Sequence, residues 1–289
     1  MIQKLTLKPI MSDVAAERLR ATMLPASAYN HLITSDTDCY TVGGELLLRF
    51  RKGAIPFDVL HSGYMAFRDS VELTESRGSA SGKVGKRIRK DGSKSRITVG
   101  NFVTSGAAGY LDPAAMIPYC RKTAFTAKYF DKFQSGIPFV KCVDDLYREL
   151  CPLHYGKQKA IADGTNRNYV IADTSFTTVT VNKNFQTAVH KDTGDYPAGF
   201  GNLIVYREGA YDGCYFCLPQ FAVAVDMQNT DILFVDVHQW HGNTPFINMS
   251  RDYLRVSFVI YYREYMIQCK QPTDELKRIK MERLGYGTL

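Results

Sequence analysis

The chain has 289 residues, of which 45% are hydrophobic and 22% charged, and a formal net charge of +7. That is soluble globular composition with room for a large core, and it excludes a disordered or fibrous chain. No apolar run in the sequence reaches the length of a membrane span; the best are short, such as 203–206 and 221–225. Residues 1–11 lack the charged-then-apolar layout of a secretory signal, so a non-secreted, cytoplasmic or nuclear chain is expected. Seven cysteines with scattered spacing suggest reduced thiols and not a disulfide framework.

In chain order, Ser12 followed by residues 13–23 reads as a capped helix, 45–51 as a strand and 57–70 as a helix. Between Lys83 and Arg96 stand seven basic residues (Lys83, Lys86, Arg87, Arg89, Lys90, Lys94 and Arg96) and one acid, Asp91, so nearly all of the net charge sits there. Gly and Ser are frequent in and just before it, which predicts a flexible basic loop over 83–96. Such a loop suits a phosphate backbone, although a solvated surface loop has the same composition. Residues 123–133, 143–150 and 157–162 read as three short helices.

The texture changes after Gly164. Short β-branched and aromatic runs follow at 169–172, 177–181, 203–206, 215–218, 222–225, 232–237 and 255–262, punctuated by Gly, Asn, Asp and Pro. Many short strands with turn signals predict a sandwich, jelly roll or barrel. The expected class is α+β in a single catalytic domain. It comprises a helical or mixed support region over 1–165, a β core over 166–265 and a helical tail over 266–289.

The stretch that carries chemistry begins at Val189-His190-Lys191-Asp192. Residues two apart in a strand share a face, so His190 and Asp192 present an imidazole and a carboxylate together. His241 follows in Gln239-Trp240-His241-Gly242-Asn243-Thr244-Pro245. Two histidines and a carboxylate can hold Fe(II) on one side and leave its other positions open. A His-x-Asp pair alone is weak, with roughly 0.3 chance matches in a chain of this composition. His238 competes for the third position, and His241 is favoured because it lies nearer a strand end. Cys214 and Cys217 have metal-like spacing but no second pair, so they read as core. Trp240 could wall the pocket, and an aromatic there is more often core.

The run 255–263 splits by the period of two. Val256, Phe258, Ile260 and Tyr262 form an apolar face. Arg255, Ser257, Val259, Tyr261 and Arg263 form the other. A guanidinium facing a β core needs an anion, either a diacid cosubstrate or a protein carboxylate such as Asp236.

Together, His190-Lys191-Asp192-Thr193-Gly194-Asp195, the run from Asp231 to Asp236 leading into His238-Gln239-Trp240-His241-Gly242-Asn243-Thr244-Pro245, and Arg255-Val256-Ser257-Phe258-Val259-Ile260-Tyr261 resemble the Fe(II)/2-oxoglutarate dioxygenases. Within these the match is to the TET/JBP group, which oxidises the 5-methyl of cytosine or thymine in DNA. The likeness covers about 75 residues well.

The resemblance implies a double-stranded β-helix (jelly-roll) core, with Fe(II), 2-oxoglutarate and O2 as cofactors. His190, Asp192 and His241 match the metal triad, and Arg255 and Ser257 the 2-oxoglutarate site. Asp195 matches a base-reading residue and Tyr261 a base-stacking one. Arg263 stands where some members carry a histidine, and Thr230 where a glycine is usual. The implied partner is DNA, held by Lys86, Arg87, Arg89 and Lys90 while a base is flipped into the pocket. A compact, monomeric viral or microbial member is expected, in the host cytoplasm if viral. An oxygenase acting on RNA, protein or a small metabolite is the alternative, as is a catalytically silent module that binds modified DNA.

Overall fold

The strand Leu254–Tyr261 runs through the middle of the molecule, and its two faces organise the rest. In the computed structural model, residues 2–114 and 117–283 are described, with the side chains of 95–98 and 282–283 excepted. The strand pairs on one side with Gly201–Glu208 and on the other with Thr178–Lys183, both antiparallel. The full ten-stranded sheet runs Gln3–Leu7, Thr37–Thr41, Leu46–Arg51, Ile232–Val235, Gly201–Glu208, Leu254–Tyr261, Thr178–Lys183, Val103–Leu111, Val71–Thr74, with Arg121–Lys122 branching from Val103–Leu111.

A smaller sheet of Gly242–Asn243, Phe216–Leu218, Val223–Val225 and His31–Ile33 packs against one side. Phe50, Leu48, Leu233 and Val235 of the large sheet meet Phe216, Leu218, Val223 and Val225 of the small one. On the opposite side the helices Phe57–Phe67, Ile137–Leu150 and Pro152–Gly164 cover the large sheet, with Phe67, Phe139, Tyr147 and Phe258 in their shared core. This is the α+β, double-stranded β-helix architecture expected.

The N-terminal half does more than cover the core. It contributes strands at both ends of the large sheet, Gln3–Leu7, Thr37–Thr41 and Leu46–Arg51 at one and Val103–Leu111 and Val71–Thr74 at the other. The strand Val103–Leu111 has low β propensity because Gly106, Ala107, Ala108 and Gly109 fill its middle. Those small residues serve close packing: a Cβ at Gly106 would fall 1.8 Å from the Ser70 carbonyl oxygen.

The basic segment is a hairpin and not a flexible loop. Gly85–Ile88 pairs with Lys94–Val99, and the amide of Arg89 donates to the Ser93 carbonyl across a three-residue turn. Asp91 accepts from the Ser93 amide at 2.9 Å and hydroxyl at 2.7 Å, and Gly92 takes φ +80°. Asp-Gly is a strong turn signal, and the glycine relieves the left-handed position. The side chain of Arg96 lies outside the described residues.

Four other expectations need correction. The capped helix expected over 13–23 is only the short Asp13–Glu17, capped by Ser12 and ended at Arg18. Residues 169–172 form no strand: Ala172 and Asp173 have positive φ, and the Ile171 amide turns back to the Phe176 carbonyl. The helix expected over 123–133 is two, Ala124–Lys128 and Phe130–Ser135, broken at Tyr129. Cys120 and Cys269 form a disulfide, so the thiols are not all reduced; the other five cysteines are free. That bond ties the segment before Arg121–Lys122 to the chain leading into the helix Pro272–Arg283. Of the tail, residues 284–289 lie outside the described part. Among the described residues, no helix is long and apolar enough to cross a membrane.

Candidate active site

Between the two sheets lies a cavity of about 400 Å³, and one of its walls is the face predicted from the period of two. Arg255, Ser257, Val259, Tyr261 and Arg263 all line it. Val256, Phe258, Ile260 and Tyr262 point the other way, into the helix-covered core.

His190 and His241 face each other across an antiparallel bridge, each amide donating to the other's carbonyl at 2.9 and 3.0 Å. The residues after His241 explain why this pairing is tight. A Cβ at Gly242 would press to 3.1 Å on the backbone of Thr187 and Ala188, so a larger residue would push the two histidines apart. Asn243 accepts from the Thr187 hydroxyl at 2.6 Å, and Thr244 accepts from the Tyr215 amide at 2.9 Å. The His-Gly-Asn-Thr run is therefore a clamp that fixes the second histidine against the first.

Both rings are oriented through Nδ1, which donates to the Ala188 carbonyl at 2.8 Å in His190 and to the Gln239 carbonyl at 3.0 Å in His241. That leaves both Nε2 atoms directed at Asp192, 3.4 Å from Oδ1 and 3.7 Å from Oδ2 respectively. The three ligand-type atoms lie within 4.8 Å of one another. Backbone carbonyls that fix the tautomer are the usual support of a metal-binding histidine.

The charges are poised accordingly. Burial, with His190 alongside, pushes the His241 pKa down to about 4, so its ring is a neutral donor at pH 7. Burial pulls His190 down too, but the hydrogen bond and charge of Asp192 outweigh it and the net shift is upward. Burial would raise Asp192, yet His190, His241 and Arg77 hold it well below the usual carboxylate range. An anionic carboxylate beside one neutral imidazole, and a second whose Nε2 proton a metal would displace, fits a divalent cation. His238 stands apart: it bonds Asp236 at 3.1 Å and the Asp195 carbonyl at 3.3 Å. Cys214 and Cys217 are buried and their thiols pushed up by burial, so they are core. Trp240 packs among Ala16, Leu24 and Val189 and does not line the cavity.

Further along the wall, Arg255 is only 6% exposed, and its guanidinium has no hydrogen-bond or ion-pair partner among the described residues. Asp236, the protein carboxylate that could have met it, is taken by His238 and Gln239. Arg263 differs: its Nε donates to buried Asp112 at 2.6 Å. Asp195 pairs with Arg263 through an isolated β-bridge, and its Oδ2 is buried with no partner among the described residues. Burial above all, then the charge on Asp192, pushes the Asp195 carboxyl well above its ordinary pKa, and Arg263 offsets this only in part. The Tyr261 hydroxyl meets that of Thr180 at 3.1 Å.

Two residues of the site carry no mark in the sequence. Arg77 lines the cavity, donates to Ser105 Oγ at 2.6 Å and the Gly106 carbonyl at 2.7 Å, and acts on Asp192 through its charge. Asp112 neutralises Arg263. Both act through partners far away in sequence, so no local spacing reveals them. Lys86, Arg87, Arg89 and Lys90 are not brought into the cavity; they are exposed on the hairpin, where Arg87 pairs with Glu75.

Comparison with known proteins agrees with this geometry. Over half of the chain is 33% identical to thymine dioxygenase JBP1 of Trypanosoma brucei brucei, an alignment of 196 residues covering 66% of this chain and 22% of that protein. The bifunctional helicase and thymine dioxygenase JBP2 of Leishmania tarentolae is 36% identical over 144 residues, 50% of this chain and 13% of that protein. The chain thus spans less than a quarter of these relatives' length. The solved structure of NgTET1 in complex with 5mC DNA superposes with a TM-score of 0.52 at 14% identity, covering 86% of each chain, which supports the shared fold. Residues 108–264, which hold the triad, Arg255 and the β core, match the Tet_JBP model, described as the oxygenase domain of the 2OGFeDO superfamily, and the chain belongs to that family.

Proposed function

We propose that the chain is an Fe(II)- and 2-oxoglutarate-dependent dioxygenase that hydroxylates the 5-methyl group of thymine or 5-methylcytosine in DNA. One observation carries the reading: a single cavity holds two oriented imidazoles and a carboxylate around one point, and in the same wall a buried guanidinium has no partner among the described residues. A buried unpaired guanidinium is costly unless an anion meets it. DNA as the substrate draws support from thymine dioxygenases among the relatives and from the fold shared with NgTET1.

In this reading His190, Asp192 and His241 hold the iron. Arg255 would pair with the far carboxylate of 2-oxoglutarate, and Ser257 would add a hydrogen bond. The bound pair supplies O2-dependent conversion of a methyl C–H to C–OH, with release of succinate and CO2. The chain's own residues do the rest. Asp195 presents its unpartnered Oδ2 to the polar edge of the extruded base, and Tyr261 offers a stacking face worth about 1–3 kcal/mol. That recovers part of the few kcal/mol that base extrusion costs. Arg263, neutralised by Asp112, fixes the wall beside Asp195. The exposed basic side chains of the hairpin hold the phosphate backbone.

The decisive experiment is nucleoside mass spectrometry on thymine-containing and 5-methylcytosine-containing DNA incubated with protein, Fe(II) and 2-oxoglutarate. Hydroxymethyl nucleosides with matching succinate are expected. Succinate release that ignores DNA would move the substrate to another class.

A further inference from the structure

His238, three residues before His241, has no task in the reaction described so far. It belongs to the turn 236–239, and that turn meets the site at three points. The Val237 carbonyl accepts from the Asp192 amide at 3.0 Å, and the Gln239 carbonyl accepts from His241 Nδ1 at 3.0 Å. Those two bonds use the backbone of the turn, and each holds one of the three metal-site residues. The third is made by a side chain: the His238 ring reaches the Asp195 carbonyl through Nε2 at 3.3 Å.

The other ring nitrogen faces Asp236 Oδ1 at 3.1 Å, and the same oxygen accepts from the His238 amide at 3.0 Å. Gln239 Nε2 donates to Oδ2 at 2.8 Å, and the Asp236 amide donates to the Leu47 carbonyl at 3.0 Å, which anchors the turn on the strand Leu46–Arg51. A carbonyl oxygen only accepts. Asp236 only accepts as well: burial would raise its carboxyl, but the hydrogen bonds from His238 and Gln239 outweigh burial and hold it below the ordinary carboxylate range. A neutral imidazole has a single N–H and satisfies one of these two oxygens; the doubly protonated ring satisfies both. The bond to Asp236, joined by the charges of Asp236 and Asp192, shifts His238 upward against its burial, in keeping with that form.

At the far end of this link stands Asp195. Its Oδ2 is buried with no partner among the described residues, so its aim is set by the backbone that carries it. That backbone is held on one side by the bridge to Arg263 and on the other by His238. We propose that His238 is a positioning residue for the substrate: its two ring N–H groups brace the Asp195 backbone against Asp236 and so aim the Asp195 carboxyl at the base. The proposal rests on the reading of DNA as substrate.

The test uses the full chain and duplexes carrying thymine or 5-methylcytosine. Nitrogen-15 NMR of labelled histidine at pH 7 should show the His238 ring protonated at both nitrogens. His238→Gln, which keeps a single donor group, should speed amide hydrogen exchange over 193–196 at least about threefold. It should lower kcat/KM for DNA about tenfold and leave the KM for 2-oxoglutarate and the Fe(II) affinity within about twofold. Introduced into Asp195→Ala, the same change should cost less than about twofold more, because the group it aims is gone. A neutral His238 ring, unchanged exchange, an additive loss in the double variant, or a 2-oxoglutarate KM that rises as much as kcat/KM for DNA falls would each overturn the brace. A doubly protonated ring with faster exchange in His238→Gln, but no hydroxymethyl product from the wild type, would keep the brace and remove the proposed reaction.

Discussion

The two faces of the strand Leu254–Tyr261 are built from alternate residues of one sequence, yet they treat polar and apolar groups in opposite ways. Toward the helices, Val256, Phe258 and Ile260 are almost fully buried among aromatic rings, with Phe258 in contact with Phe67 and Phe139. Toward the cavity, the Arg255 guanidinium is buried without a partner among the described residues, and beside the strand so is Asp195 Oδ2. One face maximises the stability of the fold. The other holds polar groups whose burial is offset only when something enters the cavity. Arg263, just past the strand on the cavity side, marks the boundary: its charge is already met by Asp112. Substitutions on the two faces should therefore separate into losses of activity and losses of stability.

The largest expected effect lies on the cavity side. Asp192→Ala should abolish succinate release, because it removes the carboxylate shared by both histidines, while DNA affinity stays close to wild type. Calorimetric metal titration beside a DNA-binding assay checks this. Retained turnover would break the assignment of the triad. On the other face, Phe258→Ala should cost about 3–5 kcal/mol of stability by opening a cavity in a rigid aromatic cluster. Urea denaturation measures it, and a loss under about 1 kcal/mol would mean the helix layer collapses readily onto the strand.

The two arginines sharpen the contrast. Arg263→Leu strands the buried Asp112 carboxylate and should cost about 2 kcal/mol, a figure reduced because the arginine side chain is 27% exposed. Arg255→Leu strands no protein carboxylate. It should leave stability unchanged or raise it, yet raise the KM for 2-oxoglutarate about a hundredfold. Equal destabilisation by both substitutions would show that Arg255 has a structural role.

What was legible in the sequence follows the same division. The final strand announces its faces through strict alternation, and the triad is marked by His-x-Asp and by the clamp residues after His241. Those are local signals. The strands of the first half depend on distant pairing: Val103–Leu111, with four small residues in its middle, is a strand because Val71–Thr74 and Thr178–Lys183 flank it. In the basic segment the count of charges and glycines concealed the Asp91-Gly92 turn, which fixes a hairpin. Thr230 is a case where the departure itself was informative. It stands where the family has a glycine and takes φ +71°, a left-handed conformation disfavoured for a β-branched residue.

The smallest expected effect tests whether the cavity face really stores a burial penalty. Asp195 binds its proton more tightly in the folded chain than in the unfolded one, since burial and Asp192 raise its pKa. The folded state therefore holds more protons than the unfolded state above about pH 4, so this group's contribution to stability falls as pH rises through the folded pKa. Asp195→Asn keeps the shape and removes the titration. In chelator-treated protein, where Asp192 keeps its charge, the stability of the variant relative to the wild type should rise as pH rises from 5 to 8. Groups that do not interact with Asp195 cancel in that difference. Parallel pH profiles from urea unfolding would mean that Asp195 ionises normally, and the polar wall would then be relaxed without its ligands.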